Sequence, residues 1–456
     1  MALQHSALTG IVAVSILGGS SVPEERSPAP RPDRFGNGQG QKPMRRLTLQ
    51  RLMLVGFVVG ALLYAGIYSL RFLSEQLSRH KKEQTPPLAH PLTISDVNAL
   101  LAGTTLSNRQ EGRFEITRNG QRFLVNTTLS QDLQKTLTDK LNPHHALYIG
   151  IVAMTPGDGR VVGLAGFDRT NAGADPSLEG SFPAASIFKI VTTAAAIDMG
   201  GLTADSMLAF NGQKHTLYRS QLKTGKNRYS NRISLTDAFA ESVNPVFGKI
   251  GINDLGAAAL RTTADRFAFD RAIPFEKTVT PSQIAITDEP YKLAELASGF
   301  NRDTRISPLH GALMAAAVIN DGRLPQPRII DDIYNENGQR MYAAAPGTLG
   351  RAVSAAGAAA LMDMMRETVA SGTCRKLFYP YRRDRVLSQL LIGGKSGSID
   401  NRDHDARYDW FVGFAADKRR EKTLAVAVVV AHQEYIGVRA GDYARYAIKQ
   451  FFKKEH

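Results

Sequence analysis

A serine and a lysine three positions apart, in Ser186-Ile-Phe-Lys189, have the residue types and the spacing of a catalytic pair. Serine is a weak nucleophile and needs a nearby base that takes its proton. Positions i and i+3 of a helix share one face, so the lysine can reach the hydroxyl. Lysine accepts a proton only when it is neutral, and burial and neighbouring cations lower its pKa enough to allow this. The pair therefore predicts catalysis with Ser186 as nucleophile and Lys189 as base.

The S-x-x-K pattern on its own is weak evidence, because roughly two matches are expected by chance in a chain of this composition. Two further matches are present, at Ser78 and Lys81 and at Ser220 and Lys223. The first lies in a charged linker and the second in the polar stretch RSQLKTGKNR. Only Ser186 opens an apolar segment, FPAASIFKIVTTAAAI, that could be buried under a sheet. The local sequence therefore favours Ser186.

Two short polar motifs lie downstream of this pair. Ser242-Val-Asn244 ends a predicted helix, SLTDAFAESVNP, and Lys395-Ser396-Gly397 lies on a predicted strand, LLIGGKSGSID. A second match to the latter motif, Lys223-Thr224-Gly225, has polar flanks and leads into no predicted sheet. A helix cap, a hydrogen bond at a helix end or a solvated charge would explain each motif separately. Their joint occurrence in fitting local structure argues against coincidence.

The segment FPAASIFK resembles the nucleophile motif of penicillin-binding proteins and serine β-lactamases, whose signature set is S-x-x-K, S-x-N and K-[ST]-G. The three motifs follow the order of that family, and YDWFVGF resembles the strand after its third motif. The resemblance covers residues from about 140 to 456. It implies an acyl-enzyme formed with D-Ala-D-Ala-terminated peptidoglycan stem peptides, inhibition by β-lactams, and no metal or other cofactor.

The resemblance also implies a role for each matching residue. Ser186 attacks the carbonyl carbon of the terminal D-Ala-D-Ala bond, and Lys189 is its base. Ser242 relays the proton to the leaving amine, and Asn244 holds the substrate amide. The Lys395 charge and the Ser396 hydroxyl are expected to bind the terminal carboxylate, and Gly397 belongs to the same substrate-binding strand. The backbone N–H groups of Ser186 and Ser398 are expected to bind the oxyanion.

The intervals between the motifs favour a transpeptidase within this superfamily. Ser186 and Ser242 are 56 residues apart, and 153 residues separate Ser242 from Lys395. The second interval is too long for β-lactamases, the asparagine of S-x-N disfavours class D enzymes, and no class A deacylation glutamate can be assigned. D,D-transpeptidase activity is therefore expected, with D,D-carboxypeptidase activity as a variant of the same chemistry. A β-lactamase or β-lactam sensor, and a catalytically silent scaffold of a wall-building complex, remain alternatives.

The predicted elements around the motifs indicate an α+β fold. Two strands, ALYIGIVAM and RVVGLAGF, precede a long helical region, and the strands SQLLIGG, YDWFVGFAA and TLAVAVVVAH follow it. A last helix is predicted near residues 440 to 453. This order predicts an antiparallel sheet of about five strands flanked by helices, with a large helical insertion. Upstream, Asn119-Gly120 joins two alternating segments, Arg113–Arg118 and Gln121–Thr127, which predicts a β-hairpin.

An uncharged segment near the start predicts a membrane anchor. Residues 52–70 are nineteen residues without a charge, about the length that crosses a hydrocarbon core of roughly 30 Å. Basic residues flank both ends, so the positive-inside rule is nearly tied. The N-terminus is assigned to the cytoplasm because wall chemistry takes place outside. The expected location is the bacterial cytoplasmic (inner) membrane, with one transmembrane helix and an extracytoplasmic catalytic domain.

The domain organisation follows from these segments. Residues 1–51 form a disordered cytoplasmic segment in which Met44 is an alternative start, 52–70 the transmembrane helix, 71–139 a linker with a small hairpin pedestal, and 140–456 the transpeptidase-like domain. The pedestal is too short for the accessory domains of larger family members. The net charge of +14 suits an anionic surface, but no nucleic-acid-binding motif accompanies it, so nucleic acid is not an expected partner. The expected partners are stem peptides, the membrane and cell-wall synthesis proteins. The single cysteine, Cys374, excludes an intrachain disulfide and is expected to be a buried small residue.

Overall fold

The computed structural model describes residues 64–69, 91–223, 228, 230–379 and 383–453. The chain divides into two units, Met1–Thr85 and Pro86–His456, and only residues 64–69 of the first are described. Those six residues are helical. The predicted segment 1–51 and the rest of the predicted span 52–70 lie outside the described residues. Within the described ranges, no helix is both long enough and apolar enough to cross a membrane.

Fifteen strands and eleven α-helices make up the described part of the second unit. The strands are β1 Arg113–Arg118, β2 Gln121–Thr127, β3 Ala146–Met154, β4 Val161–Asp168, β5 Phe182–Pro183, β6 Met207–Phe210, β7 Asn231–Ser234, β8 Arg305–Ile306, β9 Arg323–Pro325, β10 Ile330–Asn335, β11 Arg340–Ala343, β12 Thr348–Arg351, β13 Leu391–Asp400, β14 Arg407–Ala416 and β15 Thr423–His432. The helices are Ile94–Leu100, Gln131–Lys140, Lys189–Asp198, Leu235–Ala240, Asn244–Lys249, Gly256–Arg266, Pro290–Ser298, Pro308–Ile319, Ala355–Ala370, Arg375–Phe378 and Ala440–Phe452. Shorter helical turns lie at Ala185–Phe188, Arg219–Leu222 and Leu387–Gln389, and a π-helical turn at Ile250–Leu255.

The central sheet has five strands in the order β13-β14-β15-β3-β4, all antiparallel. Its middle strand β15 is buried along most of its length, and successive side chains point to opposite faces. Ala427 and Val429 belong to the core on one face, whereas Val426 and Val428 belong to the core on the other. A sheet with two apolar faces requires cover on both sides. The prediction of a five-stranded antiparallel sheet flanked by helices is confirmed.

The helix Pro308–Ile319 lies against one face of the sheet, packed on β15, β14 and β3. Every residue of this helix is buried. Ser307 caps it by accepting a hydrogen bond from the His310 backbone N–H, and proline occupies the first turn, as the sequence predicts. The opposite face is covered by the terminal helix Ala440–Phe452, which packs on β15 and β14. The helical insertion between β4 and β13 therefore lies over the first face, where the motifs meet.

The predicted hairpin of β1 and β2 is formed around Asn119 and Gly120, both with positive φ. It does not stand alone, because β2 also pairs with β10 and thus joins the four-stranded sheet β1-β2-β10-β11. Strands β10 and β11 come from more than 200 residues further along the chain, as the register of Val125 with Ile333 illustrates. An isolated two-stranded hairpin is marginal in water, and the two added strands supply its missing partners.

Candidate active site

The nucleophile candidate lies in a tight turn before a buried helix. Ser186 is in the 3-10 turn Ala185–Phe188, and Lys189 begins the α-helix that follows. The sequence predicts one continuous α-helix from Ser186, so the first turn differs from the expectation. In a 3-10 turn the side chains at i and i+3 eclipse each other, which brings the two groups together. Lys189 Nζ is 2.9 Å from Ser186 Oγ, and Ser186 is only half-buried, so a ligand can reach its hydroxyl.

Lys189 is fully buried, and its partners among the described residues are neutral. In addition to its contact with the Ser186 hydroxyl, its Nζ donates to Asn244 Oδ1 at 2.8 Å and to the backbone carbonyl of Ser298. The Phe247 ring lies 5.4 Å away, and no carboxylate within the described ranges pairs with the ammonium. Burial lowers the pKa of Lys189 well below its usual value, and the charge of Lys395 lowers it further.

The hydrogen-bond partners of Lys189 suit a neutral amine. A neutral amine has two N–H donors and one lone pair. The oxygens of Asn244 and Ser298 accept and have no proton to donate, so they take both N–H groups. The lone pair is then directed at the hydroxyl proton of Ser186. The arrangement is therefore that of a base beside a serine nucleophile.

The Ser242-Val-Asn244 motif lies in the turn between the helices Leu235–Ala240 and Asn244–Lys249. Ser242 has a φ of 58°, a left-handed conformation that is uncommon for a residue with a side chain. Asn244 is held by two further bonds, from its backbone N–H to the Lys214 carbonyl at 2.7 Å and from its Nδ2 to the His215 carbonyl at 2.9 Å. Because Nδ2 donates to a carbonyl, Oδ1 is the atom turned toward Lys189.

Ser242 is buried beside Asn244, but its hydroxyl takes no part in the hydrogen bonds of the described residues. Its proposed role as a proton relay therefore stays a prediction.

The Lys395-Ser396-Gly397 motif lies on the edge strand β13 of the central sheet. Lys395 is fully buried, its Nζ donates to the Ser396 carbonyl at 3.1 Å, and it lies 5.5 Å from the Phe239 ring. Burial lowers its pKa to about 8, while the neighbouring Cys374 acts in the opposite direction. At neutral pH Lys395 therefore keeps a positive charge, as an anion-binding role requires.

Two glycines from distant parts of the chain, Gly397 and Gly299, pack against the nucleophile turn. A Cβ on Gly397 would lie 3.3 Å from Ser186 N and 3.2 Å from Ala185 Cβ, so β13 passes directly beside the turn. A Cβ on Gly299 would lie only 2.0 Å from the Ala185 carbonyl oxygen. Ala185 itself has a φ of 49°, a conformation that costs energy in a non-glycine residue. The backbone at Ser186 is thus held in a strained turn by close contacts.

The two remaining predicted site residues differ in their surroundings. The Ser396 hydroxyl lies 2.7 Å from the Thr373 hydroxyl, and Ser396 is half-buried. The Ser398 side chain is exposed and accepts a hydrogen bond from Arg407 Nε at 2.9 Å. The oxyanion role predicted for the Ser398 backbone N–H stays a prediction, although Gly397 places this strand against the nucleophile.

The structure thus brings the three motifs to one place. Direct contacts join Ser186, Lys189 and Asn244, and the buried Lys395 lies near enough to perturb Lys189. Cys374 is buried, as expected, and so are Trp410 and Phe411.

Four residues of the site have no signal in the short motifs. Each contributes a backbone atom, a missing side chain or a single hydroxyl contact: the Ser298 carbonyl, the Gly299 Cα, the His215 carbonyl and the Thr373 hydroxyl. Burial lowers the pKa of His215, and the charges of Lys189 and Lys395 lower it further. Only Gly299 could have been suspected, since a glycine after a helix ends it in a left-handed conformation.

The fold and the clustered serine and lysine residues define a penicillin-binding serine acyltransferase domain. The family model described as the penicillin binding protein transpeptidase domain matches residues 149–453. The chain belongs to this family.

Among curated proteins, the chain is similar to the peptidoglycan D,D-transpeptidases PbpA of two mycobacteria. It is 26% identical to that of Mycolicibacterium smegmatis over 264 residues, which cover 55% of this chain and half of the relative's length. It is 24% identical to that of Mycobacterium tuberculosis over 405 residues, which cover 80% and 76% of the two chains.

Solved structures of the same fold include a D,D-transpeptidase domain from Eggerthella lenta, with a TM-score of 0.59, 24% identity, and coverage of 72% of this chain and 82% of that chain. Another is the imipenem acyl-enzyme complex of penicillin-binding protein A from M. tuberculosis, with a TM-score of 0.60, 21% identity, and coverage of 72% and 79%. At these identities the likeness concerns the fold.

Proposed function

We propose that this protein is a serine D,D-transpeptidase that acts on D-Ala-D-Ala-terminated peptidoglycan stem peptides and is acylated by β-lactams on Ser186. The observation that supports this most directly is the buried amine of Lys189, which contacts the Ser186 hydroxyl while two carbonyl oxygens take its own N–H groups. The names of the PbpA relatives agree with the same activity.

Acylation begins when Ser186 Oγ attacks the carbonyl carbon of the penultimate D-Ala. The hydroxyl proton passes to the Lys189 lone pair, and the carbonyl electrons move to the oxygen, which becomes the oxyanion. When the tetrahedral intermediate collapses, the C–N bond breaks and the terminal D-Ala leaves with a proton that Ser242 relays. The products are an ester on Ser186 and free D-Ala.

Deacylation determines which enzyme this is. An amine from a second stem peptide attacks the ester carbonyl in a transpeptidase, whereas water attacks it in a carboxypeptidase. In both cases Lys189 takes a proton from the attacking amine or water and passes it to Ser186 Oγ as the ester C–O bond breaks. Lys395 binds the terminal carboxylate in the first half of the reaction, since its ammonium is buried and unpaired with any carboxylate in the described part of the chain.

The proposed setting is the outer side of the bacterial cytoplasmic membrane. The uncharged residues 52–70 would anchor the chain as a single-pass helix, and the linker 71–139 would join it to the domain 140–456. Peptidoglycan lies outside this membrane, and other wall-synthesis proteins are the expected partners there. Deletion of residues 1–70 should release the protein from the membrane fraction without loss of penicillin binding; retention in the membrane fraction would refute the anchor.

Fluorescent penicillin tests the proposed nucleophile. The intact protein should be labelled covalently, the Ser186→Ala variant should not, and Ser220→Ala should be labelled like the parent. Ser220 is the matched control because it also precedes a lysine by three residues, Lys223, which is exposed. Labelling that survives Ser186→Ala, or no labelling of the parent, would contradict the proposal.

Product identification then tests the reaction. A D-Ala-D-Ala stem peptide supplied with an acceptor amine should give a cross-linked dimer in mass spectra, and a trimmed peptide when the acceptor is left out. Rapid turnover of free penicillin would favour a β-lactamase, and stable labelling without any peptide product would favour a β-lactam sensor.

A further inference from the structure

A short segment between the helices Ala355–Ala370 and Arg375–Phe378 lies next to the second motif and contacts the third. Its residues Gly372 and Thr373 lie against Ala240, which ends the helix just before Ser242. Thr373 N donates to the Ala240 carbonyl at 3.0 Å, and a Cβ on Gly372 would lie 2.3 Å from the same oxygen. The backbone of this segment is therefore held firmly beside the S-x-N turn.

The side chain of Thr373 reaches from this segment to the edge strand β13. Its Oγ1 lies 2.7 Å from the Ser396 hydroxyl, a normal length for a hydrogen bond between two hydroxyl groups. Cys374, the next residue, is fully buried, and its backbone N–H donates to the Thr368 carbonyl at 3.1 Å. Thr373 thus has an immobile backbone and a side chain that contacts a predicted substrate-binding hydroxyl.

The proton count of this pair has a consequence for anion binding. Two hydroxyl groups have two protons, and their mutual hydrogen bond uses one of them. If Thr373 donates, Ser396 keeps a free proton that it can direct at an acceptor. The Lys395 ammonium, on the neighbouring residue, favours an anionic acceptor at this place.

We propose that Thr373 is a positioning residue that fixes the Ser396 hydroxyl as a hydrogen-bond donor to the terminal carboxylate of the substrate. This rests on the proposed function, since it presumes that a carboxylate-bearing acyl donor binds beside Ser396. Thr373 acts on the binding of the acyl donor through Ser396. It takes no part in proton transfer at Ser186.

The test compares Thr373→Val, which keeps the shape and removes the hydroxyl, with Thr373→Ser, which keeps the hydroxyl. The second-order rate constant of acylation by benzylpenicillin should fall roughly tenfold in the valine variant, the size expected for one oriented hydrogen bond. The loss should lie in the dissociation constant of the first complex, and the limiting acylation rate should be unchanged. Thr373→Ser should restore the parental value.

A second acylating agent separates this role from a structural one. The methyl ester of benzylpenicillin lacks the carboxylate, so the parent and Thr373→Val should react with it at the same rate, however slow. Thr278→Val is the matched control, because Thr278 Oγ1 also bonds a half-buried polar side chain, Asn98 Oδ1 at 3.2 Å. Melting temperatures of all variants show whether each one is folded.

The outcomes distinguish this inference from the proposed function. The role of Thr373 would be overturned if the acylation rate of Thr373→Val fell by the same factor with the acid and with the ester, or did not fall with either. In both cases the parent would still be labelled. A parent that reacts with neither penicillin would overturn the proposed function itself. If Thr373→Val is unfolded, Thr373→Ala replaces it in the same comparison, and failure of Thr373→Ser to rescue the acid also counts against the role.

Discussion

A methyl group added at Gly299 should slow acylation strongly by displacing the nucleophile turn. The ideal Cβ would lie 2.0 Å from the Ala185 carbonyl oxygen and 3.0 Å from Ser186 N. Non-bonded carbon and oxygen atoms need roughly 3.5 Å, so the nucleophile turn must move by more than about 1 Å. A misplacement of about 1 Å in a reacting group costs roughly a hundredfold in rate. We therefore expect Gly299→Ala to be acylated by fluorescent penicillin roughly a hundred times more slowly.

A second cost must be separated from the collision. Gly299 has a φ of 67°, and an alanine in this conformation loses about 1 kcal/mol of stability. Gly201 provides the control, because its φ is 66° and a Cβ there meets no atom within 4 Å. Gly201→Ala should thus lose the same conformational energy, lower the melting temperature by about 2 °C, and react with penicillin like the parent.

The decisive comparison is between rate and stability in the two alanine variants. Acylation time courses give the second-order rate constant, and thermal unfolding gives the melting temperature. Gly397→Ala supplies an intermediate case, since its closest contacts would be 3.2 to 3.4 Å and a loss of only about tenfold is expected. Equal acylation rates for Gly299→Ala and Gly201→Ala would refute the idea that Gly299 holds the nucleophile turn.

Three further predictions concern charge. The Lys395 pKa of about 8 predicts that acylation by benzylpenicillin falls as pH rises through about 8, whereas acylation by its methyl ester does not; parallel profiles would contradict this. Asn244→Asp places a carboxylate oxygen 2.8 Å from Lys189 Nζ. Its negative charge should raise the pKa of that lysine and move the acid limb of the acylation pH profile upward by about 1 to 3 pH units. An unchanged limb would refute the assignment of the Lys189 lone pair to the Ser186 hydroxyl. Burial lowers the pKa of His310 from 6.5 to about 4. The free energy of unfolding is therefore highest above pH 6.5 and falls by about 3 kcal/mol in total as pH falls toward 4, because the unfolded chain binds a proton that the buried imidazole does not. His310→Gln should flatten this part of the stability curve measured by urea unfolding, and a curve as steep as the parent's would count against it.

Local patterns were enough to predict the strands of the central sheet and the catalytic pair Ser186 and Lys189. Alternation and apolar runs identify β3, β4, β14 and β15, because each strand is buried by its own composition. The Asn-Gly turn identifies the hairpin of β1 and β2. Its pairing with β10 could not be predicted, since β10 carries two aspartates in six residues and no local signal for its distant partner.

The limits of sequence reasoning at the site have a similar cause. The S-x-x-K spacing is local, but the two carbonyl oxygens that orient the Lys189 amine come from residues 55 and 109 positions away. Asn244 is identified by the S-x-N motif, whereas Ser298 has no distinctive pattern because it contributes only its backbone. The predicted α-helix at Ser186 was likewise replaced by a 3-10 turn. Gly299 and Gly397 leave room for that turn, because a Cβ on Gly299 would collide with the Ala185 carbonyl and a Cβ on Gly397 would crowd Ser186 N.

The difference between the pair at Ser186 and the matching pair at Ser220 shows where basicity comes from. Both have the same two residue types at the same spacing, and both begin in 3-10 turns. Lys223 is exposed to water, whereas Lys189 is buried, pairs with no carboxylate of the described residues, and donates its N–H groups to two fixed oxygens. A charged ammonium there would lose its hydration without gaining a counter-ion, so the neutral form is favoured. The motif therefore supplies the atoms, and the fold around Ser186 supplies the free energy that makes Lys189, unlike Lys223, a base.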